Sequence, residues 1–126
     1  MILGIGTDIV AYARIEAMHA RYGLRFAQRV LSAAELPHYQ NSTQPVRLLM
    51  KRFAAKEALA KAAGSGLRHP VTLRRISVTH DALGKPVFEF ETELGAHLKK
   101  LGVTCHHLSI SDEREHAVAF VVLEKD

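Results

Sequence analysis

The chain has 126 residues, of which 48% are hydrophobic and 24% charged, and its formal net charge is +4. A chain of this length can bury roughly two-thirds of its unfolded surface, so we expect one domain over residues 1–126. The composition excludes a disulfide scaffold, because Cys105 is the only cysteine, and it offers no run of ~20 apolar residues for a membrane span. The positive charge favours an acidic partner, and the single cysteine favours a cytoplasmic location.

The first ten residues, MILGIGTDIV, predict a strand with one side almost free of side chains. Gly4 and Gly6 share that side with Asp8, because alternate residues of a strand point the same way. Another backbone or a ligand can therefore approach this side closely, with Asp8 at its end. Two interpretations of Asp8 stay open: a functional carboxylate, or the cap of the helix that follows.

A basic stripe follows on a predicted helix from Ala13 to Tyr22, which Gly23 is suited to end. At spacings of three, four or seven, the stripe contains Arg14, Met18, Arg21, Arg25 and Arg29. A charge stripe is often only a solvated face, but arginines without an acid among them also suit docking on an anionic surface. Next, residues 32–35 have the pattern of a capping box for a short helix that ends near residue 39.

The longest helical pattern runs from Gln44 to Gly66, with Pro45 near its start, where helices favour proline. Glu57 departs from this pattern because it projects from an apolar stripe. A carboxylate there needs a cation, a metal or water at the mouth of a cleft. Lys61, one turn later, is either its structural partner or part of the same site.

After residue 66 the pattern changes to strands. We predict a hairpin from residues 74–80 and 87–91, a short helix at 93–100, and a second hairpin from 104–111 and 116–124. The last strand is apolar on both faces, so it should be central and should need a cover on each side. These elements predict an α+β fold with a largely antiparallel sheet and a long central helix.

Asp8 and Glu57 suggest a chemistry. Two carboxylates are too few for a calcium cage and are the wrong ligands for zinc, but they suit magnesium, which also binds substrate phosphate oxygens. Lys61, the Gly64–Gly66 segment and the Gly84-Lys85-Pro86 turn are then candidate phosphate contacts.

Four motifs carry a family resemblance that covers the whole chain in order. They are GIGTDI at residues 4–9, RFAAKEA at 52–58 with GSG after it, GKP at 84–86 and HLSIS at 107–111. Together they resemble the holo-acyl-carrier-protein synthase family, the small bacterial 4′-phosphopantetheinyl transferases. Asp112 departs from the resemblance, because many members have histidine at that position.

The resemblance implies a 4′-phosphopantetheinyl transferase-like fold and a reaction of fatty acid biosynthesis. In that reaction phosphopantetheine passes from coenzyme A to a serine of apo-acyl carrier protein, and adenosine 3′,5′-bisphosphate is released. The resemblance also implies a homotrimer with sites between subunits, Mg²⁺ held by Asp8 and Glu57, and catalysis by these two residues and Lys61. It assigns coenzyme A binding to Arg52, Lys61, Ser65, Gly66, Lys85, Pro86 and His107. It assigns carrier-protein docking to Arg14, Met18, Arg21 and Arg25.

A rival interpretation is a non-enzymatic basic module that binds nucleic acid through the arginine stripe. Three tyrosines, five phenylalanines and no tryptophan leave few free aromatic rings for base stacking. The rival also explains neither Asp8 nor Glu57. We therefore expect an enzyme without a nucleic-acid or membrane partner.

Overall fold

The computed structural model describes all 126 residues. Its elements are β1 (Ile2–Ala11), α1 (Tyr12–Tyr22), α2 (Leu24–Val30), α3 (Leu36–Gln40), α4 (Pro45–Ala62), a 3₁₀ turn (Leu73–Arg75), β2 (Ile76–His80), β3 (Pro86–Phe90), α5 (Thr92–Lys100), β4 (Cys105–Asp112) and β5 (His116–Glu124). Gly23 ends α1 as expected: its φ of 54° is accessible mainly to glycine, and α2 starts anew after it. None of the helices combines the length and apolar character needed to cross a membrane.

The strands form two antiparallel sheets rather than one. The order β1-β5-β4 makes a three-stranded sheet, and β2 pairs with β3 in a separate hairpin. The central position predicted for β5 is confirmed. The two sheets meet through side chains instead of ladder hydrogen bonds: the rings of Phe88 and Phe90 lie 5.9 and 5.1 Å from the ring of His106.

Helix α4 covers the inner face of the three-stranded sheet. The inner residues of β5 are fully buried. They form part of a hydrophobic core of 25 residues, to which α4 contributes residues that are mostly fully buried as well. Many of these helix residues are alanines, whose small side chains let the helix axis approach the sheet closely. The central helix of the prediction is therefore confirmed, with its start at Pro45.

The outer face of the same sheet has no cover within the chain. Phe120 of β5 is 45% exposed and Ile9 of β1 is 64% exposed, and Ile5 and Val118 extend the same apolar patch. Because β5 is apolar on both faces, we predicted that each face would need a cover. Helix α4 covers the inner face, and the chain supplies no cover for the outer face.

A buried ion cluster joins α4 to the segments on either side of it. The Glu35 carboxylate is 1% exposed and accepts hydrogen bonds from Lys56, from Arg52 at 3.0 Å and from the Val78 amide at 2.9 Å. Lys56 is fully buried and also donates to the Val30 carbonyl at 2.8 Å. The cluster thus fixes the loop before α3, helix α4 and strand β2 to one another.

The capping box predicted at residues 32–35 is only partly present. Glu35 accepts the Ser32 amide at 2.9 Å, but no side chain caps α3. Burial alone would raise the pKa of Glu35, yet the Lys56 ammonium and its hydrogen bonds lower it. Burial lowers the pKa of Lys56 to about 8 against the opposing effect of Glu35. Glu35 is therefore an ionised core residue rather than a helix cap.

The cluster makes a stability prediction. Glu35→Gln keeps the shape of the side chain but leaves Lys56 and Arg52 as uncompensated buried cations, so the free energy of unfolding should fall by roughly 3–5 kcal/mol. Urea denaturation measures this loss. The control is Glu113→Gln, an exposed carboxylate 3.8 Å from His116, which should change stability by less than about 1 kcal/mol. Equal effects of the two substitutions would contradict the role given to Glu35.

Candidate active site

The bare side of β1 receives another backbone, as the glycines predicted. A Cβ atom added to Gly6 would lie 1.9 Å from the Ala58 carbonyl oxygen, and one added to Gly4 would lie 2.0 Å from the Ala62 carbonyl oxygen. Only glycine permits this approach. Because Asp8 lies on the same side two residues later, its carboxylate faces the last turns of α4.

Lys61 of α4 binds the strand end directly. Its Nζ lies 3.0 Å from Asp8 Oδ1 and 3.0 Å from the Thr7 carbonyl oxygen. Lys61 therefore forms its salt bridge with Asp8 and not with Glu57, the structural partner that the sequence suggested. The helix-cap interpretation of Asp8 is wrong, since β1 continues to Ala11 and no side chain caps α1.

Glu57 lies one helical turn before Lys61 and completes the group. It is half-buried and takes part in no salt bridge. Burial and the neighbouring Asp8 carboxylate raise the pKa of Glu57, while Lys61 and Arg14 act in the opposite direction. Two carboxylates are thus held close together with one ammonium group, an arrangement that attracts a further cation.

Three of the predicted coenzyme A contacts lie on the opposite face of the sheet. Lys85, Pro86 and His107 border a groove of about 430 Å³ together with Phe120 and Val122. His107 pairs in register with Val122, whereas Asp8 pairs with Ala119, and these two β5 residues point to opposite faces. Within one chain, the groove and the Asp8 group are therefore separated by the sheet.

Comparisons with known proteins show the family of the chain. Residues 4–121 match the family model of the 4′-phosphopantetheinyl transferase superfamily. The chain belongs to this superfamily. It is 58% identical over 125 residues to the holo-[acyl-carrier-protein] synthase of Nitrosospira multiformis, covering 99% of this chain and 100% of that protein. It is 56% identical to the synthase of Laribacter hongkongensis, covering 98% and 99% of the two chains.

Solved structures of the superfamily confirm the fold prediction. The chain superimposes on a holo-[acyl-carrier-protein] synthase from Neisseria meningitidis with a TM-score of 0.97 and 48% identity, over 99% of this chain and 100% of the other. A synthase from Bacillus anthracis, solved in complex with CoA (3′,5′-ADP), gives a TM-score of 0.83 and 38% identity over 100% and 99% of the chains.

Two predicted coenzyme A contacts have partners within this transferase chain. Arg52 is buried against Glu35, and the Ser65 hydroxyl donates to the Gly66 carbonyl at 2.9 Å. Arg52 also borders a pocket of about 290 Å³ with Arg47, Lys51 and His80. This basic pocket was not predicted from the sequence, although the spacing of Arg47 and Lys51, one turn apart on α4, was a usable signal.

Asp112, where the chain departs from the family pattern, also has structural partners. One carboxylate oxygen lies 2.9 Å from Arg47 Nη1, and the other lies 3.9 Å from Lys51 Nζ. The residue therefore ties the end of β4 to helix α4 through ion pairs.

The basic stripe forms an exposed surface over two helices. Met18, Arg25 and Arg29 border a hollow of about 220 Å³ that Tyr22 and Phe26 complete. The Arg14 guanidinium lies 5.4 Å from the centre of the Phe53 ring, and the Arg21 guanidinium lies 5.2 Å from that of Tyr22. Each contact restricts an arginine without removing its charge.

The close packing of β1 on α4 makes a second prediction. Gly6→Ala should force the helix away from the strand and reduce the free energy of unfolding by roughly 1–3 kcal/mol or more. Gly95→Ala is the matched control, because the nearest atom to its added Cβ would be 4.0 Å away and alanine favours the helix α5. Urea denaturation should rank Gly95→Ala at or above the parent. A fully stable Gly6→Ala protein would contradict the contact.

Proposed function

We propose that this protein is a holo-acyl-carrier-protein synthase, which transfers 4′-phosphopantetheine from coenzyme A to a serine hydroxyl of apo-acyl carrier protein. The observation that carries the proposal is the group of Asp8, Glu57 and Lys61, in which a strand end and a helix face hold two carboxylates beside one ammonium. Relatives that span the whole chain are named holo-[acyl-carrier-protein] synthases. The related Helicobacter pylori synthase has been solved in complex with coenzyme A. A nucleic-acid-binding function would not explain why Asp8, Glu57 and Lys61 lie together.

The two carboxylates fit a magnesium ion. Hard carboxylate oxygens are suitable ligands, and Glu57 takes part in no salt bridge while the nearby Asp8 carboxylate raises its pKa. Asp8 and Glu57 would hold the ion. When bound, it would neutralise the charge that develops on the pyrophosphate of coenzyme A.

The remaining steps belong to the side chains. The serine oxygen forms a bond to the phosphorus that carries the pantetheine arm, and the bond from that phosphorus to the bridging oxygen breaks. The electron pair leaves with adenosine 3′,5′-bisphosphate. Glu57 accepts the serine proton, a role that its raised pKa suits. Lys61, held at 3.0 Å from Asp8, places its ammonium where the leaving phosphate gains charge.

We assign the two substrates to separate surfaces. Coenzyme A binds along the groove of Lys85, Pro86 and His107 and against the Ser65-Gly66 segment at the end of α4. The acidic carrier protein docks on the stripe of Arg14, Met18, Arg21 and Arg25, where exposed arginines steer its approach. We place the reaction in the cytoplasm, in fatty acid biosynthesis.

The active unit that we propose is a homotrimer. The groove and the Asp8 group lie on opposite faces of one sheet, so one coenzyme A molecule reaches both most simply when they come from neighbouring copies. The uncovered apolar patch around Phe120 supplies an interface, since its exposed rings and aliphatic side chains gain by burial. A closed ring of copies buries the same patch on every chain.

The carboxylates make the third prediction. Asp8→Asn and Glu57→Gln should each fold but slow the reaction by at least about 100-fold, because each removes a charge required in the transition state. The measurement is the phosphopantetheine-sized mass gain of apo-carrier protein incubated with coenzyme A and Mg²⁺. Glu16→Gln, an exposed carboxylate on α1, is the control. Near-native rates for either site variant would refute the assignment, and no mass gain with the parent protein would refute the proposed function.

The assembly makes the fourth prediction. Asp8→Asn chains and His107→Ala chains should each be poorly active alone. After co-refolding in equal amounts they should recover roughly a quarter of the parent activity. About one site in four then combines an intact Asp8 from one chain with an intact His107 from its neighbour. Activity no higher than the average of the two variants would exclude a shared site. An active monomer in light scattering would exclude the trimer.

A further inference from the structure

A cluster of three chemically different ligand groups lies at one end of the outer sheet face. Cys105 and His107 are two residues apart on β4, so they point the same way, and Glu124 of β5 is the register partner of Cys105. Cys105 Sγ lies 3.4 Å from His107 Nε2, which lies 3.0 Å from Glu124 Oε2. The donor atoms all lie within 4.8 Å of one another, and none of the three residues is buried.

The donor set differs in kind from that of Asp8 and Glu57. Thiolate sulfur, imidazole nitrogen and carboxylate oxygen are the ligands of zinc, whereas magnesium prefers oxygen ligands and waters. In a tetrahedral zinc site, ordinary bond lengths put sulfur and nitrogen about 3.6 Å apart, and nitrogen and oxygen about 3.3 Å apart. The two observed separations that involve His107 Nε2, 3.4 and 3.0 Å, need to open by only a few tenths of an ångström. Two neighbouring strands already hold the three groups on one side.

Other histidines of the chain show what is particular about this cluster. His69 lies 2.7 Å from Glu93, and His116 lies 3.8 Å from Glu113, so pairs of histidine and carboxylate occur elsewhere on the surface. Neither pair has a sulfur ligand, because Cys105 is the only cysteine. Thiolate binding distinguishes soft and borderline cations from the hard cations that the active site attracts.

We propose that Cys105, His107 and Glu124 form a binding site for a divalent cation of the zinc class. The three side chains supply sulfur, nitrogen and oxygen, and a water molecule takes the fourth position. On binding, the Cys105 thiol releases its proton to solvent and becomes a thiolate. Mg²⁺ does not compete at this site because thiolate and imidazole are poor ligands for magnesium.

The site has a consequence for catalysis, which rests on the proposed function. His107 also borders the groove with Lys85 and Pro86 that we assign to coenzyme A. A cation bound to His107 Nε2 takes up a donor atom of a residue that borders this groove. Zinc should therefore weaken the binding of coenzyme A and inhibit the transferase.

The test is a titration of the reduced, full-length protein with Zn²⁺ in competition with a chromophoric chelator. We expect one site per chain that is tighter than any other. Cys105→Ser and Glu124→Gln should each weaken it by about 10–100-fold or more, since even outer-shell changes cost that much. His69→Gln is the matched control and should leave the affinity unchanged. Co²⁺ in place of Zn²⁺ should give a sulfur-to-metal charge-transfer band that Cys105→Ser abolishes.

Several results would overturn the site. They are an unchanged zinc affinity in Cys105→Ser, an equal loss in His69→Gln, or a cobalt spectrum without the sulfur band. These measurements use no coenzyme A, so they stand whether or not the proposed function is right. Light scattering on each variant checks that the assembly is unchanged.

A separate arm tests the competition with adenosine 3′,5′-bisphosphate, which has no thiol of its own to bind zinc. One equivalent of Zn²⁺ should weaken its binding to the parent protein and leave its binding to Cys105→Ser unchanged. If both proteins respond alike, the competition is overturned and the metal site itself is still decided by the zinc titration.

Discussion

The structure depends on the contact between the glycine side of β1 and helix α4. Gly4 and Gly6 bring the strand against the helix backbone at Ala58 and Ala62, closer than any other residue would allow. The same approach brings Asp8 within hydrogen-bonding distance of Lys61 and close to Glu57. The contact that packs β1 against α4 therefore also brings together the carboxylates of Asp8 and Glu57, one from each element.

The position of α4 has two further effects. On one side, the helix is fixed by the buried cluster of Glu35 and Lys56, whose charges must stay paired because water does not reach them. On the other side, a single long helix covers only the inner face of the three-stranded sheet. The outer face keeps its apolar patch, and it also carries the groove of His107. The proposed trimer accounts for both observations, because neighbouring copies would cover the patch and unite the groove with the Asp8 group.

Local patterns were enough to predict the glycine side of β1 that carries Asp8, the long helix, the irregular position of Glu57 and the central strand β5. Each of these follows from periodicity within a few residues. The contacts that were missed join distant parts of the chain. Arg52 meets Glu35 across 17 residues, a pair that leaves no periodic trace in the sequence, and the family resemblance alone put Lys61 in one site with Asp8, 53 residues away. The separation of the strands into two sheets was missed for the same reason, since hairpin patterns do not specify which hairpins share a ladder.

The central claim is that Asp8 and Glu57 hold one cation beside a coenzyme A groove supplied by a neighbouring copy. Its most direct test is a crystal structure with Mn²⁺ in place of Mg²⁺ and adenosine 3′,5′-bisphosphate. The account predicts an anomalous peak between the Asp8 and Glu57 carboxylates of one chain, with the nucleotide contacting Lys85 and His107 of the next chain. A manganese peak away from this carboxylate pair, or a nucleotide that contacts both groups within a single chain, would contradict it.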